Sequence, residues 1–556
     1  MRYRMMCLLF LLAAVALPAV AAPSHTELSR RADALLTGHY ADKDPGIAVL
    51  VARGDDVLYR GSRGRANLEL GVPLSPDHVF RLASVTKQFA AAGILKLAEE
   101  GKLSLDDPLS KFLPGYPGGD GVTVEMLLNH TSGIRSYTDM PGVLEGPIQR
   151  DVTTAQLIDT FKNEKPDFAP GEGFHYNNSG YVLAGAVIEA ASGMPWHAYL
   201  DKVFFTPLGM NHTGYGDPTD AVIPDHVSGY TLKDGRWAPA RYLSMSQPQA
   251  AGALVSNVGD LLKWNRALHE GKLLSDAHYQ QMITATGKAA DDGYGYGIVH
   301  GNLRGHDMLQ HGGGIFGFST FLLYLPEDDL TVAVLSNADS GKPGAIGSET
   351  LARMLAAEAI GKPYPAKKAI ATDPGFLEQY EGVYRLNKDA TRTLRVVDGK
   401  LTSQRTGGRP YTLIPVAKDA FLFEEGFSRM VFERDATGNV TAMRFFQDDE
   451  GTGEVVALTD EPLPATREAM TLPREALERV TGDYVRQGVT LKVFLDGDVL
   501  KGRLGSQSSH ELFAESPSRF FLRVVEAELE FAPDSGVPAR VTLHQNGHEM
   551  VFERGE

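Results

Sequence analysis

Residues 82–90 read LASVTKQFA, and the polar pair at the centre of this stretch, Ser84 and Lys87, decides how the whole chain is interpreted. Residues three apart lie on one face of a helix, so the Ser84 hydroxyl and the Lys87 amine would be neighbours. One interpretation is structural, with Ser84 capping a helix and Lys87 solvated. The other is chemical, because a serine hydroxyl becomes a nucleophile when a base lies beside it and a helix N-terminus stabilises the developing anion.

The length and the N-terminus indicate an exported protein of several domains. The chain has 556 residues, which is too long for one domain. Its hydrophobic content of 43% and charged content of 22% are ordinary for a globular protein. Residues 1–22 combine two arginines, an apolar run and the small residues Ala19-Val20-Ala21, the pattern of a secretory signal peptide. The alternative is an uncleaved anchor, since an apolar run of about 18 residues is the lower limit for a membrane span. We expect cleavage, no stable membrane association afterwards, and a periplasmic or secreted bacterial location.

Charge, cysteine content and motifs narrow the function classes. Cys7 is the only cysteine, so the mature chain would have no disulfide, which suits a bacterial periplasm. The formal net charge of −16 disfavours binding to nucleic acid and to anionic membranes. The chain contains no HExxH, Cys-x-x-Cys or Walker pattern, so we expect neither a metal nor a nucleotide cofactor. The oligomeric state stays open.

The residues around the Ser84 pair predict an α/β domain over residues 23–361. A hairpin is predicted at Gly54-Asp55-Asp56, and the helix that contains Lys87 should stop at Gly101. The predicted strands are 46–52, 57–61, 307–310, 318–325 and 330–336, with a further helix near 346–360. Strands at both ends with helices between them predict one antiparallel sheet, flanked by helices, with a helical subdomain inserted.

The last third of the chain contains an internal repeat. LEQYEGVY at 377–384 matches LERVTGDY at 477–484, and proline-rich linkers precede both segments. The matched pairs are Leu377 and Leu477, Gly382 and Gly482, Tyr384 and Tyr484, Phe421 and Phe520, and Phe432 and Phe531. Short alternating strands with Asp-Gly or Gly-Asn turns then predict two small antiparallel β-barrels, over 374–460 and, lipocalin-like, over 473–556. The alternative is a chance match between two generic β segments.

Two further motifs supply what a nucleophilic Ser84 would need. Residues 170–181, PGEGFHYNNSGY, place Tyr176 and Asn178 before an apolar helix. A lysine ammonium near Tyr176 would lower the pKa of its phenol, and Asn178 could orient Lys87 and a substrate amide. Taken alone, Tyr176 would be interpreted as a packed aromatic residue.

The third motif is MLQHGGGIFGFST at 308–320, where glycines on a strand would let a substrate backbone approach closely. We expect His311 and Gly313 to contact substrate, and the backbone N–H groups of Ser84 and Gly314 to form an oxyanion hole. Taken alone, this segment would be interpreted as a glycine-rich hairpin turn.

Ser-x-x-Lys, Tyr-x-Asn and His-x-Gly, in this order, resemble the motifs of the penicillin-recognising serine hydrolases, which include class C β-lactamases, D-Ala-D-Ala carboxypeptidases, D-aminopeptidases and related esterases. The segments 101–117, 122–134 and 250–268 also resemble this family, so the likeness spans roughly residues 30–360. It implies a β-lactamase/transpeptidase-like fold. It assigns Ser84 as the nucleophile, Lys87 as its activating partner, and Tyr176 as the base that also protonates the leaving group. It gives Asn178 and His311 substrate contacts, but it gives no chemical role to His175 or to His130, which we expect to be a structural hydrogen-bonding residue.

Two features of the sequence bear on which substrate is preferred within the family. The β-lactamases of this type have lysine at the position of His311, an imidazole that titrates near pH 6.5 when unperturbed and binds a carboxylate poorly when neutral. The two barrels resemble the D-aminopeptidase architecture, in which the C-terminal barrel reaches the active-site mouth. We therefore expect an enzyme that cleaves amide or ester bonds in small molecules or short peptides, with D-amino acids preferred. A broad carboxylesterase, a β-lactamase, a D-Ala-D-Ala carboxypeptidase and a non-catalytic receptor for penicillin or wall fragments remain alternatives.

Overall fold

The structure is a computed structural model that describes residues 23–555 apart from 141, 145, 147, 218–221, 343, 389, 450, 465–466, 468, 487–488, 506–508 and 546–547. The predicted signal peptide and Cys7 lie outside the described residues. Within the described ranges, no helix has the length and hydrophobicity needed to cross a membrane.

A six-stranded antiparallel sheet forms the centre of the first domain. In spatial order its strands are Val299–Leu303, His306–Ile315, Phe318–Leu325, Leu330–Ser336, Ile47–Arg53 and Asp56–Arg63. The N-terminal hairpin joins the C-terminal strands directly, since Ile47 pairs with Ser336 and Leu50 with Ala333. The prediction of one sheet assembled from both ends is therefore confirmed.

Strand Ile47–Arg53 is apolar and buried from Ile47 to Ala52, because helices cover both faces of the sheet. Ile47, Val49 and Val51 pack toward two helices at the back of the domain, His25–His39 and Ser348–Ala359. The alternate residues of the strand, Ala48, Leu50 and Ala52, pack into the larger helical core on the other face. Successive side chains of a strand point to opposite faces, so a strand covered on both sides loses the polar alternation.

Lys87 lies in helix Thr86–Glu99, most of whose residues are buried. This helix packs on helix Asn178–Ser192. Its predicted end is confirmed, because Gly101 follows in a left-handed conformation with φ of +69°. The other helices of this domain are Val124–Leu128, Thr154–Asp159, Trp196–Leu200, Thr206–Leu208, Gln249–Gly252, Val258–His269 and Asp276–Ile283. Short strands add Arg65–Asn67, Val72–Pro73, Phe80–Arg81, Gly214–Tyr215, Tyr230–Lys233, Arg236–Pro239 and Leu254–Ser256.

Two nearly closed antiparallel sheets follow, and we call them the first and second barrels. The first contains Gly382–Arg385, Thr391–Val397, Lys400–Arg405, Pro410–Ala417, Ala420–Phe423, Arg429–Arg434, Val440–Phe446 and Glu454–Ala457. The second contains Gly482–Arg486, Val489–Asp496, Val499–Leu504, His510–Glu511, Phe513–Ala514, Arg519–Phe521, Ala527–Ala532, Arg540–Gln545 and His548–Arg554. A bridge between Tyr384 and Leu458 brings the two edges of the first sheet together.

The residue pairs matched in the sequence occupy equivalent places in the two barrels. The buried Tyr384 hydroxyl donates to the Tyr380 carbonyl at 3.0 Å, and Tyr484 donates to the Val480 carbonyl at 3.0 Å. The paired phenylalanines meet edge to face in both copies, Phe421 with Phe432 at 5.4 Å and Phe520 with Phe531 at 5.5 Å. These shared contacts support an internal duplication, with one hydrophobic core for each copy.

The first barrel is attached to the first domain through ion pairs. Arg304 binds Asp449 at 2.6 Å, and Arg353 binds Asp448 at 3.4 Å. Arg353 and Asp449 are both more than 90% buried. Their partners, Asp448 and Arg304, are 36% and 20% exposed, so each ion pair has one buried and one partly exposed member. The first barrel is therefore packed on the first domain and is more than a tethered module.

Candidate active site

Ser84 lies on a short turn, Ala83–Val85, that leads directly into helix Thr86–Glu99. Strand and loop groups hold the turn on both sides: Leu82 donates its N–H to Leu254 at 2.8 Å, and the Thr320 hydroxyl donates to the Leu82 carbonyl at 2.8 Å. Ala83 has a φ of +49°, a left-handed conformation that costs roughly 1–3 kcal/mol and is found most often at functional sites. Within residues 79–95, every residue except Ser84 is buried. The fold therefore presents one hydroxyl at the start of a buried helix.

Lys87 lies directly beside that hydroxyl. Its Nζ is 3.0 Å from Ser84 Oγ, 2.8 Å from Asn178 Oδ1 and 2.8 Å from the Ala251 carbonyl oxygen. The side chain is 0% exposed, and burial lowers the pKa of Lys87 well below its usual value. A neutral amine has two N–H groups and one lone pair. Asn178 Oδ1 and Ala251 O are acceptors only, so the lone pair of a neutral Lys87 would face the Ser84 hydroxyl, which can donate.

Asn178 holds this amine in place. Its Nδ2 donates to Thr138 Oγ1 at 2.9 Å and its backbone N–H to Ser136 Oγ at 3.2 Å, so Oδ1 is directed at Lys87. The predicted contact between Asn178 and Lys87 is thus present. Both ends of the Asn178 amide already have partners in the chain, although the residue lines the cavity at Ser84.

Tyr176 lies on the other side of Lys87, with its ring centroid 4.8 Å from Nζ. Burial raises the pKa of the Tyr176 phenol, and a hydrogen bond with Ser84 lowers it by less. The net shift is opposite to the lowering expected from a lysine ammonium, because removal from water outweighs the hydrogen bond with Ser84. A neutral phenol donates a proton better than it accepts one, so the geometry favours Tyr176 as an acid.

His311 is placed differently from the sequence-based expectation. The residue is only 5% exposed, its Nδ1 lies 2.6 Å from the Gly312 carbonyl oxygen, and its Nε2 lies 2.8 Å from the Tyr294 hydroxyl. A carbonyl accepts only, so Nδ1 carries the proton and Nε2 accepts from Tyr294. Both ring nitrogens therefore have partners within the chain, although His311 still lines a cavity beside Tyr176. Burial, followed by the charge of Lys87, lowers the pKa of His311 to about 4.

This value predicts how substrate charge should affect the rate. His311 stays neutral from pH 8 down to pH 5.5, so the ratio of kcat/KM for a matched carboxylate and amide pair should not change over this range. His311→Lys should raise that ratio about tenfold if one charge contact of about 1.4 kcal/mol is gained. His311→Gln, which stays neutral, is the control. A wild-type ratio that changes several-fold between pH 8 and 5.5 would place the imidazole titration in that range and contradict the prediction.

The glycines of the third motif have different roles. A Cβ at Gly313 would collide with the Leu82 carbonyl and the Thr320 hydroxyl, so this glycine lets the strand pack on the Ser84 turn. A Cβ at Gly314 would meet nothing within 4 Å, and Gly314 lines the same cavity as Ser84. Gly313 is thus a packing residue and does not line the cavity, which corrects its assignment to substrate contact. The space beside Gly314 is where a substrate backbone could approach.

Sequence reasoning missed the loop around Tyr294. Gly297 has a φ of +69°, and a Cβ there would lie 2.7 Å from the carbonyl carbon of Lys87, so the loop packs on the backbone of the catalytic lysine. The available signal was the alternation of tyrosine and glycine in GYGYG at 293–297. His130 accepts the Asn177 N–H at 3.0 Å through Nδ1, the structural role expected for it. His175 pairs with Asp167 at 2.8 Å.

The cavity at Ser84 has a volume of about 490 Å³, and we call it the acyl cavity. Its walls are mainly apolar, formed by Tyr137, Val143, Leu144, Ile148, Leu243, Pro248, Ile315, Phe316 and Phe318. Asp339 is its only charged lining residue in the described part of the chain. Arg81 lies near Phe318, 5.8 Å from the ring centroid, but does not line the cavity. The acyl cavity therefore favours neutral or cationic groups over carboxylates.

Neither barrel contributes to the acyl cavity, whose described lining residues all lie between 83 and 339. The barrel at the active-site mouth that the D-aminopeptidase resemblance implied is therefore not found. Among the described residues, no group of three or more His, Cys, Asp or Glu side chains could hold a metal ion.

The comparisons with known proteins agree with this site. The Beta-lactamase family model matches residues 32–356, and a model described as a domain of unknown function (DUF3471) matches residues 366–459. A penicillin-binding protein of Bacillus subtilis (strain 168) is 29% identical over 440 residues, 74% of this chain and 94% of that protein. Esterase EstB of Burkholderia gladioli is 29% identical over 353 residues, 55% of this chain and 89% of that protein. A D-stereospecific amidohydrolase from Streptomyces sp., a solved structure, is 30% identical with a TM-score of 0.52 and covers 60% of this chain and 98% of its own.

Proposed function

The chain belongs to the beta-lactamase family and is a serine hydrolase, and we propose that it is exported and cleaves amide or ester bonds in small substrates whose acyl part is a D-amino acid. One observation carries the chemistry. The only accessible side chain of residues 79–95 is the Ser84 hydroxyl, and it lies 3.0 Å from a buried lysine nitrogen. The hydroxyl opens into a cavity large enough for a small acyl group.

The geometry supports the following acylation step. Ser84 Oγ attacks the substrate carbonyl carbon while its proton moves to the lone pair of neutral Lys87. The carbonyl oxygen becomes an oxyanion beside the backbone N–H groups of Ser84 and Gly314, which we propose as its hydrogen-bond donors. The bond to the leaving group then breaks, and the neutral Tyr176 phenol donates its proton to the departing nitrogen or oxygen. The Lys87 ammonium returns a proton to Tyr176, which leaves both residues neutral.

Deacylation reverses the proton path with water as the nucleophile. Water attacks the Ser84 ester and passes its proton to Lys87, and that proton returns to Ser84 Oγ as the acid is released. The products are a carboxylic acid and an amine or alcohol, and one water is consumed. No other group need change its protonation state, which agrees with the neutral forms that burial favours at Lys87 and Tyr176.

The acyl cavity supports an aminoacyl group. Asp339 accepts hydrogen bonds from the Gly317 N–H at 2.8 Å, from the Ser340 hydroxyl at 3.0 Å and from the Thr231 hydroxyl, all neutral donors. The Asp339 carboxylate can attract the α-ammonium of a substrate, while the apolar walls contact the side chain. The preference for D-amino acids draws on the 30% identity to the D-stereospecific amidohydrolase.

Three alternative functions can be distinguished from the proposed one by experiment. The identity to esterase EstB supports a broad carboxylesterase. A β-lactamase or carboxypeptidase substrate presents a carboxylate, for which the acyl cavity has no cationic lining residue among those described. A penicillin receptor would form the acyl-enzyme and fail to hydrolyse it.

The test is a panel of substrates, with turnover measured as initial rates and covalent adducts detected by the intact mass of the protein. It contains p-nitroanilides of D-phenylalanine, L-phenylalanine and N-acetyl-D-phenylalanine, with p-nitrophenyl butyrate and benzylpenicillin. We expect the D-anilide to exceed the L-anilide at least tenfold, and N-acetylation to cost about tenfold through loss of the Asp339 contact. Turnover of the butyrate alone would indicate an esterase. A penicillin adduct that persists for hours, with no turnover elsewhere, would indicate a receptor.

A further inference from the structure

Tyr176 lines a second cavity, which is separate from the acyl cavity. Its volume is about 310 Å³, and we call it the aromatic–acidic cavity. Its lining residues are Phe174, Tyr176, Asp292, Tyr294, Val299, Gln310, His311, Gly312, Phe321 and Glu349. It shares no lining residue with the acyl cavity, although Gly312 and Gly314 are two residues apart and so lie on one face of the same strand. The two cavities thus lie along one strand face, with Ser84 in one and Tyr176 in the other.

The lining of this cavity has the composition of a site for an organic cation. Rings of Phe174, Tyr176 and Tyr294 lie together, with Tyr294 6.0 Å from each of the other two. Asp292 and Glu349 are exposed at the cavity, and they are its only charged residues in the part of the chain that the structure describes. Aromatic faces and carboxylates both attract quaternary or primary ammonium groups, and both repel carboxylates.

Neighbouring cationic side chains do not neutralise the negative charge of Asp292 and Glu349. Arg353 lies 4.0 Å from Glu349 but also binds Asp448 of the first barrel at 3.4 Å. Burial holds His311 neutral, and both of its ring nitrogens already have partners, Tyr294 and the Gly312 carbonyl. Lys87 is fully buried on the other side of the Tyr176 ring. A ligand in the aromatic–acidic cavity would therefore meet a net negative field.

The position of Tyr176 assigns a role to this cavity. In the proposed mechanism the Tyr176 hydroxyl protonates the leaving group, so the leaving atom must lie within hydrogen-bond distance of a residue in the cavity wall. The acyl part occupies the cavity at Ser84, and the remainder of the substrate extends past Tyr176. We propose that the aromatic–acidic cavity is the leaving-group subsite and that it selects leaving groups bearing an organic cation. This inference rests on the proposed hydrolase function and specifies its substrate class.

The test uses three butyrate esters that differ only in the leaving group. Butyrylcholine presents a quaternary ammonium, 3,3-dimethylbutyl butyrate is its uncharged isostere, and carboxymethyl butyrate presents a carboxylate. We expect kcat/KM for butyrylcholine to exceed that for the isostere about tenfold at low salt, with the carboxylate slowest. The preference should shrink as ionic strength rises, since the two carboxylates are exposed.

Variants connect the preference to the cavity. Asp292→Asn combined with Glu349→Gln should lower the choline-to-isostere ratio about fivefold and raise the rate on the carboxylate ester relative to the isostere. Asp291→Asn, an exposed neighbouring acid that does not line the cavity, should leave all ratios unchanged. Equal rates on the three esters in wild type, or a ratio that the double variant does not move, would overturn the inference and leave the hydrolase function intact. Rates on all three esters no higher than those of Ser84→Ala, with no turnover of the D-phenylalanine p-nitroanilide either, would reject the proposed function and this subsite with it.

Discussion

Ser84→Ala is expected to abolish turnover on every substrate, with a loss in kcat/KM of at least about 10⁴-fold, and to abolish the covalent adduct seen by intact mass. The reason is geometric: Ser84 is the only accessible residue of the buried segment 79–95, and within it only this hydroxyl lies beside the Lys87 nitrogen at the acyl cavity. Without this hydroxyl the acyl-enzyme cannot form.

The fold should survive this change. Ser84 caps neither the turn Ala83–Val85 nor the helix that follows, so the usual cost of losing a capping serine, about 0.5–2 kcal/mol, is an upper bound. Lys87 keeps its partners Asn178 and Ala251. Substrate binding should therefore persist and be measurable by calorimetry. Ser104→Ala, in an exposed loop, is the matched control. An alanine variant that still forms a covalent adduct would remove Ser84 from the mechanism.

Most of the fold follows from local patterns in the sequence. The hairpin at residues 54–56, the end of the helix at Gly101 and the return of strands after residue 306 rest on turn chemistry and hydrophobic period, which act over a few residues. The barrels could be predicted because the repeat marks the same positions twice. The contact of Arg304 with Asp449 could not, since the two residues lie 145 positions apart with no pattern joining them.

In the candidate site, too, local motifs predicted some features and long-range packing determined the others. The motifs identified Ser84, Lys87 and Asn178. In the structure the side-chain oxygens of Ser84 and Asn178 lie within 3.0 Å of the Lys87 nitrogen. They did not show the direction of the Tyr176 pKa or the pairing of His311 with Tyr294. Both depend on burial by distant parts of the chain, and burial decides which protonation state a group adopts. The packing role of Gly313 likewise appears only when strand and turn are in contact.

Lys87→Met is expected to lower kcat/KM by about 10²–10⁴-fold, the range that a positioned general base contributes. Methionine has a similar length and an apolar side chain, so it suits a position that is 0% exposed. It leaves Asn178 Oδ1 and the Ala251 carbonyl without a donor, at about 1–3 kcal/mol each, so the variant should be less stable but folded. Lys96→Met, on the same helix and ion-paired with Glu99 at 3.2 Å, is the control for loss of a lysine.

The pH profile separates a base from a merely structural lysine. Lys87 accepts a proton only when neutral, and burial lowers its pKa well below its usual value. Wild-type kcat/KM should therefore rise with pH and reach its plateau well below pH 10.5, and activity should fall as the solution is acidified through that lowered pKa. In Lys87→Met the residual activity should lose this acid limb. If the limb persists in the variant and the rate falls less than tenfold, another group takes the Ser84 proton. Tyr176 would then be the base, which would require a phenolate that its burial opposes.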